Sequence, residues 1–233
     1  MLMPNELLNI DHRIHAGASA LNHDAFRKAG VFSIVLCGGP GSGKTTLLRE
    51  TFRRLAGELR MGVVVGNIRA EDDAQQLRDW CEQVVSMETI DLTAPLLREA
   101  LEIVDLDKLD VLFIERASAA PPMPPDLGQS ATVGLFSVAG GHDKIERHRK
   151  RVINSDLILL TKTDLTPYVA FDEASFRSEI RHAKRELPII AMSAVSHSGI
   201  EEWCRWILNH ARDNRNNRHR HEEIAYGFEY FTG

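Results

Sequence analysis

Cysteine is scarce in the sequence, and the three cysteines, Cys37, Cys81 and Cys204, lie far apart with no CxxC pair. A small secreted domain held by disulfides needs an even, closely spaced set of cysteines. The sequence therefore predicts reduced thiols, a cytoplasmic location and no disulfide framework.

Long apolar runs are also absent, since no stretch approaches the roughly 20 residues that a helix needs to cross a bilayer. The N-terminal stretch MLMPNELLNIDHRIHAG has no basic segment leading into an apolar core, so we expect no signal peptide. The formal net charge of −5 gives no reason to expect nucleic acid as an electrostatic partner. Neither a membrane nor a nucleic acid is expected among its partners.

The sequence does contain a regular alternation of short apolar runs and amphipathic stretches. The apolar runs, which are typical of buried strands, lie at residues 31–37, 62–68, 109–115, 131–139, 155–162 and 187–194. Helical spacing is found at residues 5–29, 44–56, 71–83, 93–104, 143–153, 172–186 and 199–212. Strands that alternate with helices of this length predict an α/β fold, with a mostly parallel sheet and helices on both faces.

One domain accounts for most of the chain, because the sequence has no internal repeat and no composition typical of a linker. The proline-rich stretch AAPPMPPDLG at 119–128 is interpreted as a loop within that domain. We expect a helical segment at 1–30, the main domain at 31–212, and a basic and aromatic flexible tail at 213–233.

A glycine-rich stretch, GGPGSGKT, lies between the first apolar run and the following helical stretch, and it matches G-x-x-x-x-G-K-[ST] in full. In such a loop the backbone N–H groups converge on phosphate oxygens, and the helix N-terminus adds partial positive charge. We expect Lys44 to bridge β- and γ-phosphates and the Thr45 hydroxyl to ligate Mg²⁺. The predicted phosphate-binding residues are Gly39, Pro40, Gly41, Ser42, Gly43, Lys44, Thr45 and Thr46. The predicted fold is therefore that of a P-loop NTPase.

An acidic residue ends the third apolar run, in VLFIE. A carboxylate at a strand end beside a phosphate loop organises Mg²⁺ or water in many such proteins, which makes Glu115 a candidate catalytic residue. The alternative interpretation is a solvated acid at a strand end.

A guanine-binding motif follows the fifth apolar run, in LILLTKTDL. The Asp164 carboxylate would accept two hydrogen bonds from guanine N1–H and N2–H₂, and the stem of Lys162 would cover the base plane. Backbone N–H groups of Ser193 and Ala194, which follow the last apolar run, would meet guanine O6. Together these motifs favour GTP over ATP.

The chain resembles the HypB branch of the HypB/UreG group of SIMIBI-class GTPases over residues 8–212. The resemblance is carried by FRKAGVFSIVLCGGPGSGKTTLL, GNIRAEDDAQQL, DVLFIE, DLGQSATVGLFSVAGGHDK, SDLILLTKTDLTPYVAFD and MSAVSHSGIEEW. It implies a cytoplasmic, Mg²⁺-dependent GTPase that is slow by itself, dimerises when it binds GTP, and helps to load nickel into hydrogenases or ureases.

The sequence departs from that family where an adjacent Cys-His pair holds Zn²⁺ or Ni²⁺ across the dimer. Ile90 and Asp91 occupy the position, and neither is a good ligand for these ions. We expect Asp91 and Thr93 to cap a helix, and we expect no transition-metal site. Other metal ligands were considered, but packing or solvation explains each of them better: Cys81, His12, His15, His23, His219 and His221.

Four further departures lie around the expected nucleotide. Asn67 replaces an aspartate that meets Mg²⁺, and its amide oxygen is a weaker ligand, whereas Asp73 retains a family acid and is a tentative Mg²⁺ ligand. Ser118 replaces the glycine whose N–H would meet the γ-phosphate. Arg116 is new, and would act as an internal arginine finger or pair with Glu115. Thr161 replaces the asparagine of the guanine motif, and its hydroxyl retains one donor for stabilising the loop.

The sequence thus predicts a HypB-like GTPase in which Lys44, Glu115 and Asp73 act by positioning and electrostatics. Expected partners are a second copy of the chain, in a GTP-dependent homodimer, and a metalloenzyme or co-chaperone client. The first alternative is a nucleotide-gated scaffold or dimer switch with little hydrolysis. The second is an ATP-dependent kinase.

Overall fold

The protein is represented by a computed structural model that describes residues 4–117, 126–140 and 149–229, with the backbone alone for 4–11, 117 and 217–229. Within these ranges, seven parallel strands form one sheet in the order β3-β2-β4-β1-β5-β6-β7. The strands are β1 Phe32–Gly38, β2 Met61–Asn67, β3 Gln83–Glu88, β4 Val111–Ala117, β5 Ala131–Ser137, β6 Leu157–Thr161 and β7 Ile189–Ala191. The predicted parallel α/β fold is confirmed.

Helices cover both faces of the sheet, because each connection between parallel strands must cross back over it. The described helices are α1 Pro4–Ala29, α2 Lys44–Leu55, α3 Ala70–Gln75, α4 Ala94–Leu101, α5 Arg149–Ile153, α6 Glu173–Ala183 and α7 Ile200–Glu229. On one face of the sheet, residues of α2, α3 and α7 form a core cluster with residues of β1, β2 and β4. Residues of α1 and α4 pack on the opposite face, and α5 and α6 cover β5 and β6. In the part of the chain that is described, no helix is long and apolar enough to span a membrane.

The edge strand β3 was missed by sequence-based prediction. The stretch 71–83 was expected to be one helix, but α3 ends at Gln75 and β3 begins at Gln83. The side chains of β3 are mostly half-buried, since it has only one neighbouring strand, β2. A half-buried edge strand gives a weaker apolar signal than the fully buried strands beside it.

The two terminal helices are more closely joined to the domain than the expected boundaries suggested. Phe26 of α1 is buried in the core, and the amide of Asn22 donates to the carbonyls of Ala94, at 3.0 Å, and Leu127, at 3.1 Å. Helix α7 continues through the expected boundary at residue 212 to Glu229, and the Arg215 guanidinium lies 2.8 Å from the Asp110 carboxylate. The backbone of the tail is therefore helical as far as Glu229. The predictions for Ser118, for most of the proline-rich loop (119–125), for residues 143–148 and for the side chains of His219 and His221 fall outside the described residues.

The topology determines where a ligand can bind. From β1 the chain moves past β4 to β2, toward one edge of the sheet. From β4 it moves past β1 to β5, toward the opposite edge. In open parallel sheets, ligands bind at the carboxyl ends of strands where such a reversal occurs. The carboxyl ends of β1, β2, β4, β6 and β7 lie at this edge, and the residues predicted to bind nucleotide lie at or just after these strand ends.

Candidate nucleotide-binding site

The phosphate loop connects β1 directly to α2, as the sequence predicts. Gly41, with φ of 72°, and Gly43, with φ of 92°, adopt left-handed backbone conformations that side chains disfavour. Open space surrounds the Cβ position of each, so the backbone angle and not crowding requires glycine. A cavity of about 290 Å³ lies against the loop, lined by residues 39–42, the end of β5 and Lys162. Thr45 and Thr46 lie in the first turn of α2, where Thr45 is half-buried and Thr46 is exposed.

Lys44 is buried at the base of the loop. Its Nζ donates to the Gly38 carbonyl at 2.9 Å and lies 3.8 Å from Glu115 Oε1. An ammonium group has three donors, so the bond to Gly38 leaves others for phosphate oxygens. The structure thus brings two of the three predicted catalytic side chains, Lys44 and Glu115, into one ion pair.

Glu115 is 2% exposed, and its Oε2 has no hydrogen-bond partner among the described residues. Burial raises the pKa of Glu115 to about 7, with Lys44 opposing that shift and the negative charge of Asp73 adding to it. Buried polar atoms nearly always have a partner, so an unsatisfied carboxylate oxygen beside a phosphate loop indicates a ligand-facing group. A carboxylate that titrates near neutral pH is suited to accepting a proton from water.

Asn67 and Asp73, the other predicted members of this end of the site, are in direct contact. The Nδ2 of Asn67 donates to Asp73 Oδ2 at 3.0 Å, and its Oδ1 accepts from the Arg69 N–H at 2.7 Å. The amide oxygen proposed as a weak Mg²⁺ ligand therefore already accepts one hydrogen bond. The carboxylate of Asp73, being half-buried, is the more accessible oxygen ligand of the two.

The predicted base-recognition residues form one connected group. Asp164 Oδ1 accepts from the hydroxyl of Ser193 at 2.5 Å, which ties the loop containing Ser193 and Ala194 to the guanine motif. Ser193 is buried, and its Oγ accepts from the N–H groups of Val195 and Ser196, at 3.1 Å each.

Thr161 links the base-recognition group to the phosphate loop. Its hydroxyl lies 2.7 Å from the Ser42 carbonyl and 3.3 Å from the Phe136 carbonyl, and donates to the nearer one. Lys162 follows with a left-handed backbone, φ 61° and ψ 36°. The loop-stabilising bond expected of the threonine hydroxyl is present.

Arg116 does not pair with Glu115, contrary to one of the two expectations. Consecutive strand residues point to opposite faces, so Arg116 lies on the other side of the sheet from the Lys44–Glu115 pair. Its Nη2 and Nε lie 2.6 and 3.0 Å from Asp91 Oδ1. Thr93 occupies the N-cap position of α4 but makes no side-chain hydrogen bond to the helix. Asp91 pairs with Arg116 and does not cap the helix. Sequence-based prediction missed this ion pair because its partners are distant along the chain.

Arg151 lies at the site although no sequence motif indicated it. It lines the cavity beside the phosphate loop, is 6% exposed, and places its guanidinium carbon 5.5 Å from the centre of the Phe136 ring. Burial lowers the pKa of its guanidinium. Its only signal in the sequence is the basic run RHRKR, which is usual for an exposed helix face.

The residues considered as transition-metal ligands do not come together in the part of the chain that is described. Among those residues, no group of three or more His, Cys, Asp or Glu side chains could hold a metal ion. The thiol of Cys81 is buried and donates to the Met61 carbonyl at 3.0 Å, and burial raises its pKa to about 11. Ile90 is 87% exposed.

Comparison with known proteins agrees with this geometry. Residues 32–191 match the family described as CobW/HypB/UreG, nucleotide-binding domain. The hydrogenase maturation factor HypB of Escherichia coli K12 is 34% identical over 187 residues, which cover 78% of this chain and 64% of that protein. The urease accessory protein UreG of Streptomyces coelicolor is 31% identical over 219 residues, 86% of this chain and 96% of that protein.

A solved structure leads to the same conclusion. HypB from Archaeoglobus fulgidus superposes with a TM-score of 0.79 at 25% identity, covering 85% of this chain and 99% of that one. The chain spans only 64% of the length of the Escherichia coli relative, so the whole activity of that protein does not follow from the match. The matched region contains the phosphate loop, Glu115 and the guanine motif, and on this basis the chain belongs to the CobW/HypB/UreG family of nucleotide-binding domains.

Proposed function

We propose that this protein binds GTP with Mg²⁺, hydrolyses it to GDP and phosphate, and assists the maturation of a metalloenzyme in the cytoplasm. The observation that carries the proposal is the bond from the Thr161 hydroxyl to the Ser42 carbonyl, at 2.7 Å. That bond joins a guanine-type motif to a complete phosphate loop, so base and phosphates of one nucleotide can be held together.

Base recognition rests on Asp164. Its carboxylate would accept from guanine N1–H and N2–H₂, while Ser193 holds it in place through a 2.5 Å bond. Adenine offers no such pair of donors on one edge. The N–H of Ala194 would reach O6, and the stem of Lys162 would cover the ring.

Hydrolysis rests on Lys44 and the acids beside it. Lys44 would neutralise charge that develops on the phosphate oxygens. Glu115, with its unsatisfied Oε2 and its raised pKa, would orient the attacking water and accept its proton. The remaining barrier reduction would come from holding phosphate and water in line.

The residues present fit Mg²⁺. The Thr45 hydroxyl and the half-buried Asp73 carboxylate are hard oxygen donors of the kind that Mg²⁺ prefers. When bound, the ion would supply positive charge that neutralises the phosphate oxygens. Thr45 would be its direct ligand, Asp73 would approach it directly or through water, and Asn67 would contribute weakly through its amide oxygen.

The role in maturation is supported by the relatives, which are named for hydrogenase maturation and urease accessory function. We propose that this chain forms a homodimer when GTP is bound and acts on a metalloenzyme client or a co-chaperone.

Single-turnover hydrolysis of GTP tests the enzyme proposal. Lys44→Ala should lower the rate at least a hundredfold, because one oriented cation at the reacting phosphate contributes about 3 kcal/mol or more. Lys28→Ala, which removes an exposed lysine of α1, is the matched control and should leave the rate unchanged. Tight GTP binding without Lys44-dependent turnover would exclude the enzyme and leave the nucleotide-gated scaffold. The engaged amide oxygen of Asn67 is the observation that favours that alternative.

Base choice is tested by Asp164→Asn. Xanthine carries a carbonyl where guanine carries N2–H₂, so an amide at residue 164 would donate to xanthosine triphosphate and lose one bond to GTP. We expect the preference to move from GTP toward xanthosine triphosphate by roughly 1–3 kcal/mol in competition binding. Asp79→Asn, at an exposed position, is the control. A variant that binds GTP and ATP as the wild type does would favour an ATP-dependent kinase.

A further inference from the structure

Asn67 occupies an unusual place for an amide, at the acidic end of the site. It ends β2 and is 6% exposed. Val65, two residues before it, pairs with Glu115 of the neighbouring strand β4. Because side chains alternate along a strand, Asn67 and Glu115 lie on the same face of the sheet.

The orientation of the amide is determined by its neighbours. The Arg69 backbone N–H can only donate, so the Asn67 atom that lies 2.7 Å from it must be the oxygen. The amide nitrogen therefore faces Asp73 Oδ2, at 3.0 Å, and donates to it. Asn67 thus contributes a donor to a carboxylate.

A carboxylate at residue 67 could not make this contact. Its two oxygens would only accept, and the side chain would face Asp73 as a second negative charge in a buried place. Glu115 is a third acid nearby, and Asp73 already acts on it electrostatically. Two facing carboxylates repel each other unless a cation or a shared proton lies between them.

We propose that Asn67 is a positioning residue, and that its amide holds the Asp73 carboxylate in place so that the acidic end of the site is assembled without a metal ion. The use of this site for GTP and Mg²⁺ rests on the proposed function, but the assembly of the pair does not. In this arrangement the pair forms before Mg²⁺ arrives with the nucleotide. Asn67 acts on the reaction mainly through Asp73, and its amide oxygen, which already accepts from the Arg69 N–H, is at most a weak ligand.

Thermal unfolding of the nucleotide-free full chain, in EDTA and in millimolar Mg²⁺, tests the assembly. The wild-type melting temperature should not depend on Mg²⁺. Asn67→Asp should melt about 4–8 °C lower in EDTA, as expected for a loss of about 2 kcal/mol in a chain of this size, and Mg²⁺ should restore it. Asn67→Ala removes the donor without adding charge, and should melt lower than wild type by an amount that Mg²⁺ does not change.

The exchanged variant Asn67→Asp/Asp73→Asn is the rescue. Residue 67 would then accept both from the Arg69 N–H and from the new amide at residue 73, so melting in EDTA should return to within about 2 °C of wild type. A wild type that Mg²⁺ stabilises as strongly as Asn67→Asp would overturn the proposal. So would an Asn67→Asp variant that is unchanged in EDTA, or an exchange that gives no recovery.

Steady-state hydrolysis separates positioning from a purely structural role. Measured well below its melting temperature, Asn67→Ala should lower kcat about tenfold with the KM for GTP within twofold, since Asp73 would no longer be held. An unchanged kcat would show that the pair only stabilises the fold, and would overturn the positioning role. If the wild type hydrolyses no GTP, the proposed function fails, and the unfolding experiments still decide the assembly of the pair.

Discussion

At the scale of single residues, the burial of Glu115 affects both its proposed role in the site and the stability of the protein. It is almost completely buried beside Lys44, and one of its oxygens lacks a hydrogen-bond partner among the described residues. Burial raises its pKa to about 7 from an ordinary value of 4.5. Because the folded state disfavours the charged form of such a group, its ionisation lowers the free energy of unfolding.

The first prediction concerns the pH dependence of stability. Between pH 4.5 and about 7 the folded chain binds a proton at Glu115 that the unfolded chain has lost, so the free energy of unfolding falls as pH rises through this window. Glu115→Gln cannot titrate, and its stability relative to wild type should increase by up to about 3 kcal/mol from pH 5 to pH 8. Urea unfolding of both proteins measures this difference. The other titrating groups contribute equally to the free energy of unfolding of both proteins, so their contributions cancel. Glu202→Gln, at an exposed position of α7, should follow the wild-type profile; a Glu115→Gln profile parallel to wild type would contradict the raised pKa.

At the scale of elements, the Arg116–Asp91 pair joins the end of β4 to the loop between β3 and α4. The Arg116 side chain is 3% exposed and that of Asp91 is 48% exposed, so a buried cation depends on a partly solvated anion. Arg116 directly follows Glu115 in the chain, and Asp91 directly follows the exposed Ile90, so the pair joins these two positions. It therefore holds together two segments next to the nucleotide site.

The second prediction follows from the cost of a buried, uncompensated charge. Asp91→Ala should destabilise the protein by about 2 kcal/mol, less than a fully buried pair would lose because water reaches this site. Asp91→Ala/Arg116→Met should recover at least half of that loss, since it removes the unpaired cation and fills the space with an apolar side chain. Asp72→Ala breaks the exposed pair with Arg69 and should cost under about 0.5 kcal/mol in the same urea unfolding measurement. A double variant less stable than Asp91→Ala would refute this account of the pair.

At the scale of the whole molecule, the carboxyl edge of the sheet exposes two isoleucines. Ile68 follows β2 and is 71% exposed, and Ile90 follows the neighbouring strand β3 and is 87% exposed. The Thr89 N–H donates to the Asn67 carbonyl at 3.2 Å, so the two loops run side by side. This places an apolar surface beside the nucleotide site, where a second copy of the chain would be expected to bind.

The third prediction is that Ile90→Asp weakens the GTP-dependent homodimer. The wild-type chain of 26.1 kDa should double in mass by light scattering with a non-hydrolysable GTP analogue but not with GDP. Ile90→Asp should raise the dimer dissociation constant at least tenfold, because a buried unpaired carboxylate replaces an apolar contact. Ile103→Asp, at an isoleucine that is 71% exposed after α4, is the matched control and should dimerise normally. A dimer that tolerates Ile90→Asp would place the interface elsewhere.

Local signals in the sequence were sufficient for much of this protein. The phosphate loop, the strand-end acid Glu115 and the guanine motif are contiguous patterns whose chemistry depends on short spacing, and the structure places all three at one edge of the sheet. The parallel fold also followed from sequence, because strands buried on both faces give continuous apolar runs. The edge strand β3 and the helical backbone beyond residue 212 did not follow, since half-buried or polar segments carry weak periodicity.

Contacts between residues distant in sequence were decided only by the tertiary structure. Pairing with Glu115, which is adjacent in sequence, is one of the two roles that the sequence suggests for Arg116, but strand alternation separates the two and brings Arg116 to Asp91. The contact of the Asn67 amide with Asp73 is likewise invisible in the sequence, because the Arg69 N–H determines which end of that amide faces Asp73. The sequence determined which chemical groups are available and where the short motifs lie. The packing of strands and loops determined the partner of each group, because hydrogen bonds and buried charges depend on distances that no linear pattern encodes.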